Sequence, residues 1–309
     1  MARLFYFLFV APLSHLPLCI LYRISDLLYI LLITLIPYRK KVIEENILRS
    51  FPALGKSERT KLKRDFYRHF ADILIEGIKN LSISKVELEK RMILQNPEIM
   101  GDLFEKNKNV ILVSGHFNNW EWLITAQSFL IPHKAFGIGM PLTNQFWDKK
   151  LMERRSRFGM SVIHSKNYKS ELMNYTKKPF AVLTLSDQAP GDSTKSYWTD
   201  FLNQKTPVSF GTEFMANEFD LAVVYFTIHK VKRGYYSLEL KLLSDKPKTL
   251  DYGYLTSAYT TLLEKDILLN PSHWLWSHKR WKREIPENLE ILKEQQKEQF
   301  DKRFRSQIK

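Results

Sequence analysis

A chain of 309 residues, 44% of them hydrophobic and with a single cysteine, is long enough to bury roughly 75% of its unfolded surface without a disulfide or metal staple. Cys19 excludes an intrachain disulfide framework, and its apolar surroundings make it a poor nucleophile or metal ligand. With 47 Lys+Arg against 33 Asp+Glu, the net charge of +14 points to an anionic partner: nucleic acid, acidic protein, anionic lipid or a phosphorylated substrate.

Leu4 to Tyr22 is free of formal charge and would span ~28 Å as a helix, about one hydrocarbon core. A second apolar run, Leu27 to Ile36, is too short to cross alone. No small-x-small cleavage site follows, so a removable signal peptide fits badly and residues 1–36 read as a retained hydrophobic membrane anchor. Pro12 and Pro17 would kink a spanning helix, which leaves open insertion in one leaflet or a span followed by an interfacial helix. A buried helical pair of a soluble protein is the plain alternative. Past Pro37 the chain turns basic, with ten Lys/Arg against four acidic residues over 37–69, a balance of +6. A basic stretch after an apolar anchor places the following domain on the cytoplasmic side, against anionic headgroups.

Leu62, Phe66, Phe70, Ile73 and Leu74 recur at helical spacing and predict an amphipathic helix over 56–80. A short helix is expected near 97–107, then a buried strand from Asn109 ending at Gly115, then a helix from about Asn118 to Leu130. Strands are expected at 135–139, 160–164, 180–186, 221–229 and 235–242, with helices near 143–157, 209–219 and 251–269. This alternation predicts an α/β domain over 37–286, a central mixed, mainly parallel sheet flanked by helices behind the N-terminal hydrophobic helix. Residues 287–309 read as a charged surface helix.

Several chemistries lack support. There is no Gly-x4-Gly-Lys-Ser/Thr loop, no complete dinucleotide fingerprint, no Gly-x-Ser-x-Gly elbow and no recognisable nucleic-acid module. His273 and His278 stand without cysteine or nearby acidic partners, so neither a metal nor a cofactor is expected. The informative stretch is Ser114-Gly115-His116-Phe117-Asn118-Asn119-Trp120-Glu121-Trp122, where a strand should end and a helix begin. On one continuous helix His116 and Glu121 would lie about 140° apart. With His116 in the loop and Asn118 or Asn119 as N-cap, Glu121 enters the first turn, where it could orient the imidazole as a general base. A histidine that merely caps or packs at the strand end is the alternative.

VILVSGHFNNWEW resembles the His-x4-Asp/Glu motif of glycerolipid acyltransferases and, more closely, that of the bacterial lipid A biosynthesis acyltransferases, the lauroyl and myristoyl transferases. The resemblance takes in the apolar N-terminus and Asn46-Ile-Leu-Arg-Ser-Phe-Pro52, the stretch from Met140 to Gly159, and Ser186-Asp187-Gln188. It continues through Thr206-Pro207 with Gly211, and Trp274 to Lys282. It implies O-acyl transfer from acyl carrier protein, or from acyl-CoA, to a hydroxyl of an anionic, phosphorylated lipid A precursor at the bacterial inner membrane. His116 would be the base and Glu121 its orienting carboxylate. An amino-acid lipid or glycolipid acceptor is the nearest variant, and a basic, non-catalytic membrane-anchored binding protein a more distant one. Segment 149–178 holds nine basic and two acidic residues, and Arg154 and Arg157, sharing a helix face, are expected to contact acceptor phosphate or the oxyanion. Asp187, Gln188 and Asn119 complete the expected substrate contacts; a solvated helix face for the two arginines and an ordinary turn at Asp187-Gln188 are the alternatives. Trp120, Trp122, Trp274, Trp276 and Trp281 suit an acyl pocket, a headgroup boundary or plain core packing.

Overall fold

The computed structural model describes residues 2–306, so Met1 and residues 307–309, the outer ends of the anchor and the tail, lie outside the described residues. The N-terminal run is not one helix. It comprises α1 (Ala2–Phe5), a π-helical turn (Tyr6–Val10) and α2 (Ala11–His15), then breaks at Leu16–Pro17 before α3 (Leu18–Thr34). Pro17 removes a backbone donor and disfavours helical geometry at Leu16, which is extended at ψ 148°. The break divides Leu4–Tyr22, while α3 continues through Arg23 and Asp26 into the second apolar run. No helix among the described residues is therefore long and apolar enough to cross a membrane, which corrects the expectation of a spanning anchor. Instead α3 packs along α5 (Lys56–Lys79), burying Leu18, Leu21, Ser25 and Leu32.

Between and after these helices lie α4 (Lys40–Ser50), α6 (Lys85–Arg91), β1 (Met92–Leu94) and α7 (Glu98–Glu105). The α/β alternation follows: β2 (Val110–Ser114), α8 (Trp120–Leu130), β3 (Lys134–Gly139), α9 (Gln145–Arg155), β4 (Ser161–His164), α10 (Tyr168–Met173) and β5 (Phe180–Leu185). A hairpin of β6 (Tyr197–Phe201) and β7 (Gln204–Val208) precedes α11 (Gly211–Phe219), β8 (Ala222–Lys232), β9 (Tyr235–Ser244), α12 (Tyr254–Leu269) and α13 (Leu289–Phe304). The five strands expected after β2 all form. The short β1, the β6–β7 hairpin, α4, α6 and α10 are additions that their brief or charged sequences did not announce.

Seven strands form one sheet in the order β1-β9-β8-β2-β5-β3-β4. All neighbours are parallel except the β8–β9 pair, so β9 and β1 run against the rest. The central strand β2 is buried at all five positions because helices cover both faces. Ile111 and Val113 join one core with Phe66, Leu255 and Leu263, while Val110 and Leu112 join the other with Trp122, Leu123 and Met100. The period-two alternation thus feeds two apolar layers. Helix α13 is partly seated, with Phe300 buried against Phe210 and Tyr252.

Candidate active site

Strands β2 and β5 pair in parallel with Ser114 opposite Leu185. The residue two beyond each strand end is therefore brought to the same place at the carboxyl edge of the sheet: His116 from one loop, Asp187 from the other. His116 Nδ1 lies 2.6 Å from Asp187 Oδ1, and the His116 backbone N–H donates to Asp187 Oδ2 at 2.8 Å. The indole N–H of Trp274 donates to the same Oδ2 at 2.8 Å. Burial would raise the Asp187 carboxyl, but the adjoining imidazole and these donors outweigh it and hold the group at about 2. An ionised Asp187 accepts Nδ1–H, which leaves the lone pair on Nε2. Gln188 Nε2 sits 3.3 Å from that nitrogen.

Gly115 permits this approach. A Cβ there would lie 2.9 Å from Asp187 Cγ and Oδ2 and 2.7 Å from Leu263 Cδ2. Gly115→Ala should therefore displace the carboxylate and lower kcat by roughly 10²-fold, as misplacements of about 1 Å do. Steady-state assay of the folded variant checks this; wild-type turnover would show that the Asp187 contact is dispensable.

Glu121 stands in the first turn of α8 as expected, with Asn119 as N-cap accepting from the Trp122 N–H at 2.9 Å. It does not reach the imidazole ring as a hydrogen-bond partner. Its carboxylate faces the end of α9, where Arg154 Nη2 donates to Oε2 at 2.6 Å and Arg155 Nη2 to Oε1 at 2.5 Å. Burial opposes ionisation, yet the two guanidinium groups hold Glu121 at about 2. The pairing expected between His116 and Glu121 is thus replaced by His116–Asp187, because strand register brings loops together that sequence spacing keeps 71 residues apart.

The expected phosphate contacts also have other partners. Arg154 additionally donates to the Gly77 carbonyl, and Arg157 donates to the carbonyls of Asn80 and Ile83 at 2.7 and 2.9 Å. These carbonyls lie at and beyond the end of α5, where positive charge complements the helix dipole. Asn119 is fully buried, its amide donating to Glu76, so it holds the loop rather than facing a ligand. Asp187 stands on the Nδ1 side of the imidazole, and Gln188 alone of the expected contacts is exposed at its Nε2 edge.

A cavity of about 270 Å³ opens on His116, Gln188 and Arg155, with apolar walls that include Ile124, Leu142, Leu151, Met160 and Leu183. A second, predominantly apolar cavity of about 470 Å³ shares Leu142 and Leu151 with it and is bounded by Tyr6, Val10, Phe70, Leu74, Trp120 and Trp147. Trp120 therefore lines a cavity and stacks edge-on to His116 at 5.1 Å, whereas Trp122 and Trp276 are core residues.

The Trp274–Lys282 segment braces the Asp187 loop from below. His278 Nε2 accepts the Ala189 N–H at 3.0 Å, and burial keeps this imidazole neutral, its pKa pushed down to about 4. Arg280 donates to the Pro207 carbonyl and Trp281 to Thr206. Asn46 donates to the carbonyls of Trp276 and His278. Three distant blocks, at Asn46, Asp187–Ala189 and Thr206–Pro207, thus converge on the Trp274–Lys282 segment. Sequence reasoning missed Asp187 as the imidazole's partner, Arg155 as the arginine lining the cavity at His116, and Trp274 as a donor to Asp187. The available signal was Ser-Asp immediately after a buried strand, the same offset from its strand as Gly-His.

Residues 2–283 match the sequence family of bacterial lipid A biosynthesis acyltransferases. The chain is 23% identical over 274 residues to the lipid A biosynthesis lauroyltransferase of Escherichia coli (strain K12), an alignment covering 87% of each protein.

Proposed function

This chain belongs to the bacterial lipid A biosynthesis acyltransferase family and is an acyltransferase, and from that premise we propose that it moves a fatty acyl group from an acyl carrier protein thioester to a hydroxyl of a lipid A precursor. The observation that carries the reading is the His116–Asp187 pair at the mouth of a cavity lined by both polar and apolar groups. An acceptor hydroxyl donates to His116 Nε2, displacing the Gln188 amide, and its oxygen attacks the thioester carbonyl as the proton passes to the imidazole. The new C–O bond forms a tetrahedral oxyanion, which the first-turn N–H groups of α8 favour through the helix dipole. Collapse breaks the C–S bond, and the imidazolium returns its proton to the departing thiolate. Asp187 stabilises the imidazolium throughout, in the role expected of Glu121, while Glu121 fixes Arg155 at the cavity wall. The adjoining 470 Å³ cavity offers an apolar surface for acyl chains.

Mass spectrometry of the products formed from an acyl-acyl carrier protein, or acyl-CoA, and a lipid A precursor tests the reading. Transfer that vanishes in folded His116→Ala is expected, and transfer that survives would remove His116 from the chemistry. Acylation of an amino-acid lipid in place of the lipid A precursor would keep the reaction and change the acceptor.

The membrane association belongs to the same proposal. Leu4, Phe5, Phe7, Leu8 and Phe9 are exposed, as are Leu27, Ile30, Leu35 and Ile36. Such a face suits insertion in one leaflet of the inner membrane, with the basic residues after Pro37 on the cytoplasmic headgroups. Replacing Phe5, Leu8 and Phe9 together by serine should release the protein from anionic vesicles in 1 M salt while part remains bound at low salt. Apolar burial resists salt, whereas headgroup attraction is screened within roughly 3 Å at about 1 M. A triple variant retained in molar salt in vesicle sedimentation would overturn the assignment of the anchor to this segment.

A further inference from the structure

Behind the His116 loop, a buried polar cluster centres on Glu76 of α5, which has no exposed surface. Its Oε1 accepts the Tyr22 hydroxyl at 2.7 Å, and its Oε2 accepts the Tyr236 hydroxyl at 2.7 Å and the Asn119 amide at 2.6 Å. The Glu76 carbonyl accepts the indole N–H of Trp122 at 3.0 Å. One turn earlier on α5, Asp72 accepts from Ser25 of α3 and from Arg233, which also reaches Asp26. Helix α3 is therefore joined to α5 by directional bonds as well as by apolar packing.

We propose that Glu76 is a positioning residue that couples the seating of helix α3 to the loop carrying His116, through Tyr22 on one side and Asn119 on the other. Apolar contacts are non-directional and leave a helix free to slide or rotate, while bonds of 2.7 Å hold it to one register. Asn119 is three residues from His116 and caps α8. Between them Asn118 is held at φ +53° with its N–H on the His273 carbonyl, so a displaced cap moves the base. The far face of α3 exposes Leu27 and Ile30, the surface that the proposed function gives to lipid. Glu76 thus stands between the lipid-facing helix and the imidazole. Gly234 packs so closely on Tyr22 that a Cβ would fall 2.1 Å from its hydroxyl, leaving that oxygen little room to shift.

The inference rests on His116 as the base, and the test separates the two. In detergent–lipid micelles with an acyl thioester and a lipid A precursor, the full-length Tyr22→Phe variant should lower kcat about fivefold or more with both KM values unchanged, since binding surfaces stay intact while the base is misplaced. Glu76→Ala should lower kcat by about tenfold or more, and Glu76→Gln should stay within about twofold of wild type. In the glutamine variant the side-chain oxygen can still accept from Asn119 and Tyr236, and its amide can donate to the Tyr22 oxygen. Ser25→Ala removes a bond of the same helix pair without touching the Asn119 path, so it should lower the melting temperature and leave kcat unchanged. If Glu76→Ala does not fold, Tyr22→Phe, which removes one oxygen, carries the test. Wild-type kcat in Tyr22→Phe, or an equal loss in Ser25→Ala, overturns the coupling. Absence of acyl transfer by wild type, or transfer that survives in His116→Ala, overturns the underlying reading instead.

Discussion

His116→Ala and Asp187→Asn are each expected to lower kcat by about 10²–10⁴-fold, with the double variant little worse than His116→Ala alone. A general base and the carboxylate that holds its tautomer act as one unit, so removing either disables both. Asparagine keeps the size of Asp187 but can present an N–H to Nδ1, which favours the tautomer with its proton on Nε2, where the acceptor hydroxyl needs a lone pair. The bonds from the His116 N–H and Trp274 at 2.8 Å hold the Asp187 side chain in place, so the change is chemical before it is structural. Single-turnover kinetics on circular-dichroism-matched proteins measure it. Multiplicative losses would separate the two residues, and a wild-type rate for Asp187→Asn would return the orienting role to another group.

Glu121→Ala is expected to cost stability first, by about 3–5 kcal/mol, because it strands two arginines beside one another with their shared carboxylate removed. Arg154, Arg155 and Glu121 side chains retain only 15%, 18% and 15% of their exposure, so solvent screens the loss weakly. Denaturant midpoints for Glu121→Ala and Glu121→Gln measure it. The pH dependence has a definite sign. Glu121 is held at about 2 against an ordinary value near 4.5, so its contribution is complete above about pH 4.5 and is lost as pH falls toward 2. The gap between wild type and Glu121→Gln should narrow over that interval. A midpoint unchanged at neutral pH in both variants would show that the ion pair contributes nothing. Activity should fall with stability through Arg155 and the cavity wall.

The sequence alone determined the α/β class, the position of β2 and α8, the histidine at their junction and the family, because these rest on local periodicity, capping and motif. Val110 to Ser114 reads as a buried strand from composition, and Asn119 reads as an N-cap from its place before an apolar run. Asn109 to Gly115 followed by His116 is enough to put a histidine at a strand's carboxyl end. What tertiary structure decided is which carboxylate meets that imidazole. Glu121 is near in sequence but turns with α8 toward α9, and Asp187 is distant in sequence but adjacent in the sheet. Pairing of β2 with β5 is a long-range register, fixed by burial on both faces and invisible in spacing. The arginines divide for the same reason: α9 directs Arg154 and Arg155 to Glu121, and the turn after it sends Arg157 to the end of α5. At the N-terminus, hydropathy identified the apolar residues, while Pro17 and the polar bonds from Ser25 and Tyr22 to α5 decided that they form broken helices packed on the domain. Directional bonds between distant residues select one arrangement among many that hydrophobic pattern alone permits.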